Sequence, residues 1–370
     1  MIKQGKLKIE FGILGLILTL AFSALAQTPQ TTPPPVEDND VIRVESRLVI
    51  VPVSVTDGSG QPVTNLKKED FVIREENKQQ EIAQVSDAEK VPLEIALLFD
   101  ISASTDAMFK FEQETAAKFL QDVMRPDDRA TIFTVGADAR LIQARDNADK
   151  SAVAIRSIIP TKEQTAFYDA VAAAANYLQK NTPQGRRKVI VVISDGEDTN
   201  SAGVLKAIWD AERKLINSVQ GEELRNIRVK ARDAAKVREQ SKVLQTLQNA
   251  DAVFYSINPA GSSYQLNKIS QFGQSNLQRF ADETGGAAFL PKFQPTDSKD
   301  GYQNTANTRV NQETLTKIFR QLANELQAQY LVQYYSESDF PNNKYVKLDV
   351  GLRNSQNLRL RSRAGYFVKK

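Results

Sequence analysis

Five oxygen-bearing side chains, spread over three short stretches, are the residues of this chain best placed to do chemistry. Asp100, Ser102 and Ser104 stand on alternate positions in LLFDISAST, residues 97–105, at the end of an apolar run. Thr165 lies in KEQTAFYDAV, and Asp195 follows the apolar run of KVIVVISDGEDTNS. A turn leaving a strand can aim alternate side chains to one side, so a carboxylate and two hydroxyls converge on one point. A set of Asp, Ser, Ser, Thr and Asp offers only hard oxygen donors, the ligand class of Mg2+, Mn2+ or Ca2+. Taken singly, each residue has a plainer explanation. Ser102, Ser104 or Thr165 would cap a helix, and Asp195-Gly196 would make a turn. Three such coincidences at one sheet edge point instead to a shared site.

The totals narrow the chemistry further. The 370 residues include no cysteine and no histidine. That excludes, within this chain, a disulfide, a thiolate nucleophile, a Ser-His-Asp triad and a Cys/His zinc site. With 41% hydrophobic and 25% charged residues the bulk is that of a soluble globular protein. Its length suits roughly two or three domains.

The first residues read as a targeting segment. Lys3, Lys6 and Lys8 precede an apolar stretch from Phe11 to Leu25, and Ala24-Leu25-Ala26 offers small residues for cleavage. The stretch falls short of the roughly 20 apolar residues that span a bilayer. Residues 1–26 are therefore expected to be a signal peptide, with no stable membrane span after its removal. Losing three lysines and one glutamate lowers the formal charge from +3 to +1. A near-neutral chain has no electrostatic reason to bind nucleic acid. The expected destination is the periplasm, the cell envelope or the exterior.

The elements that must position the five residues follow from hydropathy. TPQTTPPPVEDND, within residues 27–40, reads as an extended linker. From 41 to 90 the pattern is short alternating strands, with Pro52 marking an edge or a bulge and two strands expected around Glu76-Asn77-Lys78. LEIALLF (93–99), RATIFTVG (129–136), KVIVVIS (188–194) and AVFYSI (252–257) are near-continuous apolar runs, as parallel strands covered on both faces require. Helical patterns alternate with them at 109–124, 166–180, 275–286 and 314–327. The expected fold is α/β, a doubly wound, mainly parallel sheet of Rossmann type with helices on both faces, spanning 91–328. Strand patterns resume over 329–370, and these are expected to complete a discontinuous β-sandwich begun by 41–90. Residues 202–250 are too long for one crossover helix and rich in helix formers. They read as a solvated helical extension, or as an arm for self-association or a partner.

DISAS, the threonine of QTAFYDA and VVISDGEDT, in this order and separation, resemble the metal ion-dependent adhesion site (MIDAS) of von Willebrand factor A (VWA) domains. The likeness spans about residues 92–328. VPVSVTDGSGQPVTNLKKEDFVIREENKQQEI, LQRFADETGG and the final RSRAGYFV further resemble exported bacterial proteins of the VWFA-related, acidobacterial type. The resemblance implies that Asp100, Ser102, Ser104, Thr165 and Asp195 surround a metal ion, directly or through water. Ala103 stands where the family commonly has glycine, and Glu163-Gln164 replace glycines before the threonine. The long helical insertion is not a general family feature.

The expected function is a non-catalytic module that uses the metal to capture an acidic residue of a protein ligand. A structural or assembly scaffold with a vestigial metal site is a second reading. A Mg2+-dependent phosphohydrolase is a third, but such enzymes need a carboxylate two residues after the first aspartate, where this chain has Ser102. Neither a histidine base nor a glycine-rich phosphate loop after the first strand is present.

Overall fold

A computed structural model describes residues 46–102, 106–161, 163–215, 220–259, 268–296 and 299–369. The expected signal peptide and linker, and Ser104, lie outside the described residues. Four strands come first: β1 (Arg47–Thr56), β2 (Phe71–Glu75), β3 (Lys78–Gln80) and β4 (Ile82–Asp87). Alternation puts Val49, Val51, Val53 and Val55 of β1 in a core. Glu76 and Asn77 both take positive φ, 47° and 66°, which makes a tight two-residue hairpin between β2 and β3. Where two strands were expected there are three, because the chain leaves this hairpin and β4 joins the opposite sheet.

The chain then builds a six-stranded sheet from β5 (Leu93–Asp100), β6 (Arg129–Val135), β7 (Ala139–Asp146), β8 (Arg187–Ile193), β9 (Ala252–Ile257) and β10 (Ala288–Phe289). Their order is β10-β9-β8-β5-β6-β7. Every neighbouring pair is parallel except β7, which runs antiparallel to β6. Helices cover both faces. On one lie α1 (Asp106–Val123), α2 (Ala148–Arg156) and α7 (Gly301–Gln327), packed on Ile95, Leu97 and Phe99. On the other lie α3 (Phe167–Asn181), α5 (Gly221–Ala250) and α6 (Lys268–Thr284), packed on Ala96 and Leu98. Strand β5 sits between β8 and β6, so the strand order reverses beside it. That is where open α/β sheets hold their ligands, beyond the carboxyl ends of the strands.

Between β8 and β9 the chain forms α4 (Ala202–Glu212) and α5. Only the second half of α5 packs on the sheet, through Ala235, Val243, Leu244, Leu247 and Ala250. The side chain of Gln179, near the end of α3, bonds the carbonyl of Asn249, near the end of α5. Gln240 of α5 bonds Asn276, whose amide in turn holds the Gly196 carbonyl, so this part of the helix is level with the loop after β8. Residues 221–234 therefore stand beyond the sheet edge that carries Asp100 and Asp195, by about 20 Å at 1.5 Å per residue. Alongside them runs α4, with Glu212 paired to Arg228. The insertion is a projecting helical hairpin, and Leu205 and Trp209 are exposed on it.

The chain closes with β11 (Tyr330–Ser336), β12 (Tyr345–Leu352), β13 (Arg359–Ser362) and β14 (Gly365–Phe367). Two antiparallel sheets result, β13-β1-β11-β4 and β14-β12-β2-β3, each mixing strands from before and after the α/β region. Their shared core contains Val51, Phe71, Ile73, Val332, Tyr334, Val346 and Tyr366. Pro52 is paired with Leu331 of β11, and β13 begins pairing only at Val53, so its missing N–H falls where β1 has one neighbour. Among the described residues no helix is long and apolar enough to cross a membrane.

Candidate metal centre

Asp100 is the last residue of β5, and its carboxylate is held from two sides. Oδ1 accepts from the Ser102 N–H at 3.0 Å and the Ser102 hydroxyl at 2.7 Å. Oδ2 accepts from the hydroxyl of Ser194 at 2.6 Å. Parallel pairing of Phe99 with Ile193 sets Asp100 and Ser194 side by side at the ends of β5 and β8. Asp195 follows directly, with Oδ1 accepting from the Glu197 N–H at 2.9 Å. Gly196 takes φ +76° to turn the chain after it.

Thr165 reaches the same edge through its main chain. Its N–H donates to the Thr199 hydroxyl at 2.9 Å, and its carbonyl accepts from the N–H groups of Thr199 and Asn200. Ala166 N–H donates to Gly136 O, and Thr161 N–H to Ile101 O. The loop before α3 is thus stitched to the ends of β5 and β6 and to the loop after β8. The Thr165 side chain does not cap α3, whose N-cap is Ala166 with no side-chain cap bond. The Tyr168 N–H in the first turn is bound instead by the Asp198 carboxylate at 3.1 Å. Of the five residues singled out in the sequence, Asp100, Ser102, Thr165 and Asp195 share one sheet edge. Ser104 is the one outside the described residues.

Both carboxyls at this edge are made harder to ionise. Burial raises the Asp195 carboxyl to about 7, and the negative charge of Asp100 pushes the same way. Burial also raises Asp100, opposed by its bonds from Ser194 and Ser102 and assisted by the charge of Glu197. Among the described residues, the charged neighbours that act on them, Glu197 on both and Asp100 on Asp195, are negative. Two half-buried carboxylates with hydroxyls and no histidine or cysteine form a hard-oxygen donor set, which fits Mg2+, Mn2+ or Ca2+. No group of three or more acidic side chains arranged for a metal occurs among the described residues. Asp100 and Asp195 supply the carboxylates of this set, and the charge of Glu197 acts on both.

Two contributors escaped the sequence reading. Ser194 closes the KVIVVIS run, and its position at a strand end beside Asp195 was a usable signal. Asn276 of α6 donates its side-chain amide to the Gly196 carbonyl at 3.0 Å, and nothing in its local sequence marks it.

A mainly parallel sheet with its switch point at Asp100 defines the class, and comparison with known proteins names it. Residues 95–197 match the family model described as von Willebrand factor type A domain. The chain contains a VWA domain. No curated protein matches the sequence. Among solved structures, the chain is similar to an aerotolerance-related membrane protein from Bacteroides fragilis carrying multiple mutations to serines. Identity is 19%, with 61% of this chain and 99% of that one covered, at a TM-score of 0.33. It is also similar to proximal thread matrix protein 1 from the mussel byssus with a zinc-occupied MIDAS motif, at 13% identity, 69% and 50% coverage and a TM-score of 0.41. The PilB minor pilin from Streptococcus sanguinis follows at 13% identity, 64% and 62% coverage and a TM-score of 0.41. The chain thus spans half of the byssus protein and under two thirds of the pilin.

Proposed function

We propose that Asp100, Ser102, Ser104, Thr165 and Asp195 hold a divalent cation, Mg2+ or alternatively Mn2+ or Ca2+, and that the protein is a non-catalytic binding module. When bound, such an ion supplies an open coordination position that attracts an oxygen donor from outside. Two of these five residues are carboxylates, and in this reading the outside donor is an aspartate or glutamate of a protein ligand. Asp100 and Ser102 orient one donor set, Ser194 fixes the second oxygen of Asp100, and Asp195 faces the same edge. The observation that carries the reading is this pair of adjacent carboxylates, each made harder to ionise by burial and by negative neighbours.

The module spans 91–328 in this reading, inserted in a sandwich formed by 41–90 and 329–370. Residues 1–26 direct export and are removed, which places the module in the periplasm, the cell envelope or outside the cell. The projecting hairpin of 202–250 offers a second surface, for a partner or a second copy. Sedimentation of wild type and Trp209→Ser decides between monomer and hairpin-mediated association.

Capture is tested with immobilised protein and envelope extract, with and without chelator. Retention of a partner that chelator and Asp100→Ala both abolish agrees with the proposal. Retention insensitive to both supports the scaffold reading instead. Turnover of a phosphate ester that Asp100→Ala abolishes would make the protein an enzyme.

A further inference from the structure

We infer that Asn276 is a positioning residue for the Asp195 loop, and that through it the inserted helix α5 sets where Asp195 stands. The inference rests on the metal-centre reading above and concerns residues that touch no ligand. Helix α6 lies directly on the loop after β8. A Cβ on Gly273 would fall 2.7 Å from Asp195 O and 2.9 Å from Glu197 N, and one on Gly196 would fall 2.5 Å from Gly273 O. Only two glycines allow backbone to approach backbone this closely.

Three positions of α6 at helical spacing hold the loop. Ser270 donates its hydroxyl to Glu197, Gly273 gives the close contact, and Asn276 donates to the Gly196 carbonyl at 3.0 Å. Residues three apart share a helix face, so this stripe faces the loop as a unit. Asn276 is 1% exposed. Its Oδ1 accepts from the Tyr168 hydroxyl of α3 at 3.1 Å and from Gln240 Nε2 of α5 at 2.9 Å. Gln240 is itself held by Arg279 of α6 at 2.5 Å.

One buried amide therefore joins three helices to the residue after Asp195, and one of those helices is the second arm of the projecting hairpin. The carbonyl of Gly196 can only accept, so the amide orientation is fixed by its partners. Movement of α5 at Gln240 loads Asn276 and is passed to the Asp195 loop.

The test uses the full chain with Mg2+ as the probe. Asn276→Asp keeps the shape but turns a donor into an acceptor facing a carbonyl. Gly273→Ala pushes on the loop without adding a polar group. Both are expected to weaken Mg2+ binding in calorimetry by about tenfold or more, the usual range for outer-shell partners of metal ligands. Hydrogen exchange at the amides of 195–198 should quicken in the metal-free variants. Gln240→Leu should act in the same direction but less, about threefold, and should add little to Asn276→Ala because both act through one amide. Glu75→Gln, in the separate sandwich core, is expected to lower stability while leaving Mg2+ affinity within about twofold. Folded Asn276→Asp and Gly273→Ala proteins with wild-type affinity and wild-type exchange overturn the inference. If either fails to fold, Gln240→Leu decides: unchanged affinity and exchange overturn the link to α5. If wild type binds neither Mg2+ nor Mn2+, the metal-centre reading fails, and the exchange measurement alone still decides whether Asn276 positions the loop.

Discussion

The hydroxyl of Ser194 donates to Asp100 Oδ2 at 2.6 Å, joining the carboxyl ends of two neighbouring parallel strands. It leaves Oδ1 to Ser102 and fixes the plane of the carboxylate. Ser194→Ala removes one of the bonds that oppose the upward pull of burial on Asp100. The expected result is about tenfold weaker Mg2+ binding at neutral pH, as for loss of a hydrogen bond to a metal-ligating carboxylate. The stability cost should be only about 1 kcal/mol. Calorimetry with Mg2+ and a thermal melt separate the two effects.

The Asp195 carboxyl, raised to about 7, makes the metal-free protein sensitive to pH. The folded state holds this proton more tightly than the unfolded state, so its contribution to stability is complete below the ordinary carboxyl range near 4. That contribution is lost as pH rises towards 7. The metal-free melting temperature is expected to fall between pH 5 and 8 on this account. Mg2+ competes with the same proton, so its affinity should rise up to about tenfold per pH unit below 7 and level off above it. Mg2+ should therefore raise the melting temperature more at pH 8 than at pH 5. Equal shifts at both would contradict the assignment of Asp195.

Glu75 of β2 is buried in the sandwich and accepts the hydroxyls of Tyr334 at 2.8 Å, Ser336 at 2.8 Å and Tyr366 at 2.6 Å. These partners come from β11 and β14, so one carboxylate ties the two separated parts of the chain together. Glu75→Leu leaves three buried hydroxyls without this acceptor, each costing about 1–3 kcal/mol. A loss of several kcal/mol is expected in chemical denaturation, with Mg2+ affinity unchanged in the protein that remains folded. Glu75→Gln, which still accepts on one oxygen, should cost less.

Much of the sheet was readable because β5, β8 and β9 are buried on both faces, and such strands write near-continuous apolar runs. The run 252–257 matches β9 residue for residue. Strand β7 and helix α2 were not foreseen. The sequence ARLIQARD lies half-exposed at the sheet edge and shows no apolar block. Helix α7 starts at Gly301 rather than near 314, since its first turns are largely exposed and carry no apolar stripe. DISAS, Thr165 and SDG could be found because each is a local motif following a strand or preceding a helix. Ser102 was open to a capping role, and its bond to Asp100 Oδ1 is the detail that only the fold supplies. Asn276 lies 80 residues from its partner Gly196, and such a contact leaves no local trace.

The most direct test of the metal centre is calorimetric titration of the protein with Mg2+ and Mn2+, beside Asp100→Ala and Asp195→Ala. The metal-centre assignment predicts one saturable site in the wild type, release of a proton on binding near neutral pH, and loss of the site in both variants. A wild type that binds neither ion, or variants that bind as well as it does, would contradict it.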